Sequence, residues 1–155
     1  MVITGCASSS GIDSLESVGG EDGTGEVCIP LSEDGFASFA QEMVRNTSET
    51  DVNISDIHAT SDEIEVVEWF LAREDWPDAG VRSGALPGPG EFELATSVSA
   101  QETALIAVTV KSSDLEDPLQ TDVTVAYDSD DNTGLLSLDW SVLLVPAGTT
   151  CGDYP

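Results

Sequence analysis

Basic side chains are nearly missing from this chain. Arg45, Arg73, Arg82 and Lys111 are the only ones in 155 residues, against 30 Asp and Glu, for a formal net charge of −26. Without a basic patch nothing displaces counterions from phosphates, so nucleic-acid binding is disfavoured and no nucleic-acid partner is expected. There is one histidine, His58, with no Cys or second His at ligand spacing and no nucleophile motif beside it; neither a zinc site nor a catalytic dyad is written here. The Gly and Pro between 84 and 90 lack the Lys-Ser/Thr ending of a phosphate-binding loop. Carboxylates are too many for one pair to stand out as acid and base. No apolar run is long enough to span a bilayer. The expectation is a non-enzymatic protein, with a hydrolase-type activity ranked last and no cofactor.

What is present is a foldable chain. Hydrophobic residues make up 40% of it and fall in periodic runs, which separates it from acidic disordered segments. The charge is spread along the chain, so it is not an acidic tail. Such a chain repels itself in dilute buffer, and molar salt, with a Debye length of about 3 Å, removes most of that repulsion. Scarce lysine with abundant Asp, Glu and Thr resembles the proteins of extreme halophiles, haloarchaea above all. That resemblance implies a requirement for salt.

Two windows share one spacing. Residues 50–71 and 121–142 align at an offset of 71: Thr50, Asp51 and Val52 match Thr121, Asp122 and Val123, and Trp69 matches Trp140. Each window reads as a β-hairpin with a Trp in its second strand, both tryptophans serving as core anchors. Upstream of the first, Phe36, Phe39, Ala40, Met43 and Val44 follow i, i+3, i+4, i+7, i+8 spacing. That spacing predicts a helix capped by Ser32 or Asp34. Upstream of the second, residues 99–112 suit either a helix, with Ser99 and Glu102 as a capping box, or a strand. The repeat favours the helix. The expected fold is therefore α+β, a four-stranded antiparallel sheet with two helices on one face in the order α-β-β-α-β-β. The alternative is an all-β, immunoglobulin-like sandwich. Residues 1–27 read as a flexible tether or arm. Residues 28–155 read as one domain, with halves 34–72 and 91–145 joined by a Gly/Pro-rich surface connection, 74–90.

Ile3, Thr4, Gly5 and Cys6 resemble a lipobox, in which the Cys takes a lipid. The residues that follow Cys6 have the Gly, Ser and acid content of a tether, with a reach of roughly 25 Å. Only five residues precede Cys6, whereas a secretory signal needs a longer apolar stretch. With Cys6 lipidated, Cys28 and Cys151 remain as a disulfide pair bracketing the domain. The alternative is three free thiols in a reducing compartment. Asn46 and Asn53 each open a glycosylation sequon, Asn46-Thr47-Ser48 and Asn53-Ile54-Ser55. Asp128, Asp130 and Asn132 alternate, and Asp139 follows, loosely as in a calcium loop. The Gly is one position late and the last ligand is Asp, so a solvated acidic turn is the favoured reading.

The helix–strand–strand unit occurring twice, with a Trp late in the final strand, resembles small uncharacterised exported or lipoprotein domains of haloarchaea. The resemblance covers roughly residues 34–145 and implies no chemistry. It implies an extracellular, membrane-anchored binding or structural domain whose partners are the membrane and other surface proteins. The second reading is a virion structural protein of a haloarchaeal virus, with the first 25 residues as an arm between neighbouring subunits.

Overall fold

The most apolar stretch of the chain, residues 104–110, runs through the middle of the largest sheet. The computed structural model describes residues 14–18, 25–114, 116–129 and 132–153. In chain order the strands are β1 (Leu15–Val18), β2 (Gly25–Pro30), β3 (Phe36–Asn46), β4 (Val52–Ala59), β5 (Ile64–Ala72), β6 (Gly80–Ser83), β7 (Glu93–Leu94), β8 (Ser97–Val98), β9 (Thr103–Ser112), β10 (Leu119–Thr121), β11 (Val123–Ser129), β12 (Asn132–Ser137) and β13 (Trp140–Val145). Short 3₁₀ turns cover Gly90–Phe92 and Cys151–Asp153.

Three sheets result. The first runs β1-β3-β9-β5-β7, with β6 also paired to β3. The second is β10-β13-β2, in which β13 and β2 are parallel. The third is β12-β11-β4-β8. The main core lies between the first sheet and the other two, gathering Phe39, Ile106 and Val108 with Ile29, Val142, Ile57 and Val125. A smaller core covers the far face of the first sheet, where Leu105 and Ala107 meet Trp76 and Leu86.

This overturns the α+β expectation: among the described residues there is no α-helix, and the all-β alternative fits. The physical reason is legible in β3. Its apolar residues lie on both faces, Ala37, Phe39 and Val44 toward the main core, Ala40 and Met43 toward the smaller one. A β-bulge between Phe39 and Glu42 shifts the alternation by one residue. Two buried faces plus one extra residue reproduce the 3-4-3-4 spacing of a helix. β9 is likewise buried on both faces, so its run of apolar residues has no period to separate strand from helix. The predicted capping box is a turn instead. Glu102 N–H donates to the Ser99 carbonyl at 3.0 Å, and Gln101 adopts φ 65°. Gln101 Nε2 holds that conformation by donating to the carbonyls of Thr47 (3.1 Å) and Ser48 (2.9 Å).

The paired hairpins are corrected as well. β4 and β5 belong to different sheets, so the first window is a crossing between layers. In the second window β11 and β12 do pair, from Thr124↔Ser137 to Ser129↔Asn132. The strand then breaks at Leu138 and Asp139 before β13 continues in another sheet. Trp69 is partly buried and packs against the main core, and Trp140 is partly buried; the most buried tryptophan is Trp76, edge-on to Phe70 at 5.4 Å. Leu15–Val18, within the stretch read as a tether, pairs with β3. Gly80–Ser83, within the stretch read as a connection, does so too.

Candidate functional site

The bulge in β3 has a local consequence. It turns Glu42 inward, where it is only 5% exposed, between Phe39 and Val44 on the core face. A carboxylate brought out of water loses solvation that must be replaced. Backbone N–H groups of Trp140 and Asp139 donate to it, at the corner where the chain leaves β12 for β13. Burial nevertheless pushes the Glu42 carboxyl up to about 7, and the Asp139 charge adds to the rise. The two backbone N–H groups and the nearby Ser17 hydroxyl oppose it. The opposition is incomplete, because Glu42 Oε1 and Ser17 Oγ are both buried without a hydrogen-bond partner. Ser17 is close enough to act on the carboxyl, but its hydroxyl is not placed to bond it.

Glu42 also lines a small cavity, about 10 Å³, walled by Val27, Phe39, Ile106, Val123, Leu138, Trp140 and Val142. That is space for about one water at most. On the solvent side, a groove of about 550 Å³ runs between β1 and β12, with Leu15, Glu16, Ser17, Tyr127, Leu136 and Asp139 among its walls. β1 and β12 are each the edge strand of their sheet. The Glu42 carboxyl thus sits under the seam where, among the described residues, two sheets meet without pairing. The helix expected over this stretch gave Glu42 no part in its apolar stripe. The available signal was a carboxylate in the middle of a run otherwise apolar on both faces.

Ionisable groups of opposite sign come together in two other depressions, besides one at Lys111. One, of about 570 Å³, is lined by Arg73, Glu74, Asp75, Ser97, Ser99 and Glu102 among others. Arg73 donates to Asp75 from Nε (3.2 Å) and from a terminal guanidinium nitrogen (3.0 Å), and its guanidinium lies 4.9 Å from the centre of the Phe92 ring. The hydrogen bonds from Arg73 hold the Asp75 carboxyl below the usual range. The pair is exposed, so its contribution to stability is small. The second, of about 560 Å³, gathers His58 with Asp56, Ser61, Asp62 and Glu65. His58 Nδ1 lies 3.6 Å from Asp56 Oδ2, beyond hydrogen-bond length. Ser61 Oγ accepts from the Glu63 N–H at 3.3 Å, so it serves the local turn.

The residues singled out in the sequence are scattered. Cys6 and Asp130 lie outside the described residues. Cys28, on β2, and Cys151, in the C-terminal 3₁₀ turn, are at disulfide distance, with Cα atoms 5.9 Å apart across 123 residues of sequence. Asn46, which opens the first sequon, is fully buried. Its Nδ2 donates to the carbonyls of Thr50 (2.8 Å) and Val98 (2.9 Å), and its Oδ1 accepts from Ser48 N–H (2.9 Å) and Oγ (2.7 Å). Both polar atoms of the Asn46 side chain are thus engaged within the protein. Asn53 is exposed on β4, its Oδ1 accepting from Thr96 Oγ1 at 2.9 Å. The calcium reading is separated by the strand itself. Asp128 faces solvent near the hairpin tip, whereas Asp139 lies beyond the far end of β12, about 20 Å along an extended chain from Asn132. Among the described residues no group of three or more His, Cys, Asp or Glu is gathered for a metal.

No protein-family model matches the chain, and no curated protein matches it. Among solved structures, the VesB protease of Vibrio cholerae aligns over 90% of this chain and 34% of its own, at 9% identity and a TM-score of 0.44. The chain thus spans about a third of that protease. The ASH/PapD-like domain 7 of human CEP192 aligns over 88% of this chain and 87% of its own, at 10% identity and a TM-score of 0.44. A family 123 glycoside hydrolase from Clostridium perfringens covers 86% and 27%, at 12% identity and the same TM-score. Likenesses at this level bring no activity to this chain.

Proposed function

We propose that this chain is a non-enzymatic binding or structural domain displayed outside a cell that lives in molar salt, held to the membrane through a lipid on Cys6. The observation that carries the reading is the Cys28–Cys151 pair, which ties β2 to the C-terminal turn. A disulfide across the whole domain is compatible with an extracellular location, where such bonds persist. The net charge of −26 supports the solvent assignment, since two acidic surface groups repel far less at a Debye length of about 3 Å. A glycan on exposed Asn53 belongs to the same proposal.

Expression in a haloarchaeal host tests it. The protein is expected in the membrane fraction, with Cys28 and Cys151 resistant to alkylation until reductant is added, and Cys6→Ser is expected to release it into the medium. Recovery in the cytoplasm with alkylatable thiols would overturn the reading. Recovery in purified virus particles would move it to the virion alternative. Desalting the purified protein is expected to abolish its β-sheet circular dichroism, and a spectrum unchanged at low salt counts against the halophilic assignment.

A further inference from the structure

We propose that Glu42 is a protonation latch for the seam between β1 and β12: uncharged, it lets β1 and the β12–β13 corner close on the core, and ionised, it loosens them and widens the groove between the two edge strands. The inference is independent of where the protein resides.

Four geometric observations converge on this carboxyl. The β3 bulge aims it inward; the chain break at Leu138 and Asp139 presents its N–H groups; one carboxyl oxygen and the Ser17 hydroxyl are left without partners; and its other surroundings are the apolar cavity walls. The charged groups facing it are few. β1 brings Ser17 and the exposed Glu16, the corner brings Asp139, and β2, β9 and β11 bring Val27, Ile106 and Val123. No basic side chain lines the cavity or the groove. Ionised, Glu42 would put a second negative charge beside Asp139, with only two backbone donors to replace its water.

The linkage has a definite sign. An unfolded Glu titrates near 4.5, and burial moves Glu42 to about 7. The folded state therefore prefers the neutral carboxyl. No penalty exists below pH 4.5, it grows as pH rises from 4.5 to 7, and it is complete above 7. Among the described residues β1, four residues long, pairs only with β3. Relief of the penalty by local opening at β1 is easier than global unfolding.

Amide hydrogen exchange of the full chain in molar KCl between pH 5.5 and 8.5, corrected for intrinsic rates, tests the latch. Protection of the β1 amides is expected to fall at least tenfold as pH rises from 5.5 to about 7 and to level off above that, while β9 remains protected. Glu42→Gln is expected to keep β1 protected at both ends of the range. Asp139→Asn is expected to move the levelling-off to lower pH, because it removes the neighbouring charge but leaves the backbone donors. Exchange at β1 that ignores pH overturns the proposal. So does an unchanged pH dependence in Glu42→Gln or, should that variant not fold, an unmoved levelling-off in Asp139→Asn.

Discussion

Removing the Cys28–Cys151 bond is the perturbation with the largest effect that can be worked from the structure. The two cysteines are 123 residues apart in sequence. In the chain-entropy description a closed loop of that length restricts the unfolded ensemble by about 5 kcal/mol. The folded side has little to compensate with. β2 is an edge strand, held by its parallel pairing to β13 from Trp140↔Gly25 to Val145↔Pro30, and the turn that carries Cys151 follows the last strand. The variant is Cys28→Ala with Cys151→Ala, both changed so that no lone thiol is left, compared with the parent in a Cys6→Ser background. Urea unfolding in molar KCl, followed by circular dichroism, should show the midpoint falling by roughly 2 to 3 M for an m-value near 2 kcal/mol/M. A loss below about 1 kcal/mol at unchanged m would refute the reasoning. It would mean that the closed loop does not constrain the unfolded chain as the sequence separation implies.

Two further substitutions test the packing. A Cβ built on Gly134 falls 2.5 Å from Tyr127 Cζ, and Tyr127, its cross-strand partner, is buried with little room to retreat; Gly134→Ala is expected to cost about 1–3 kcal/mol in urea unfolding. Asn46→Ala breaks four hydrogen bonds and leaves the buried Val98 carbonyl without its amide donor. It should cost about 2–4 kcal/mol, against less than about 0.5 kcal/mol for exposed Asn53→Ala. Mass spectrometry of host-purified protein should find no glycan on Asn46.

Much of the strand content was visible along the chain. Val52 and Ile54, which alternate with Asn53, are buried on β4, and Val142 and Leu144 are buried on β13; Ile57 joins them only through a register shift that the spacing did not show. Errors arose where one face was not enough to describe an element. β3 and β9 bury both faces, so each showed either a false helical period or none. The repeat compounded the error, because it carried the helix reading from residues 36–44 to residues 99–112. The candidate site was least legible. Asn46 and Asn53 carry the same triplet signal, yet one amide is fully buried and bonded while the other faces water. Glu42 looked like one of many surface carboxylates until a bulge turned it inward.

Composition alone determined the charge, because net charge is a sum over residues and does not depend on their arrangement. The positions of apolar residues determined which segments would be buried, since alternation along a strand is a local property. Only the tertiary structure decided which sheet each strand joins and that the chain breaks at Leu138 and Asp139. It also decided that Glu42 lies beneath a seam between two edges. Those outcomes depend on contacts between residues distant in sequence, and on a single extra residue in β3 that reverses which side chains face the core. The same acidic chain that reads as uniform along its length therefore folds, among its described residues, with one carboxylate buried apart from the rest.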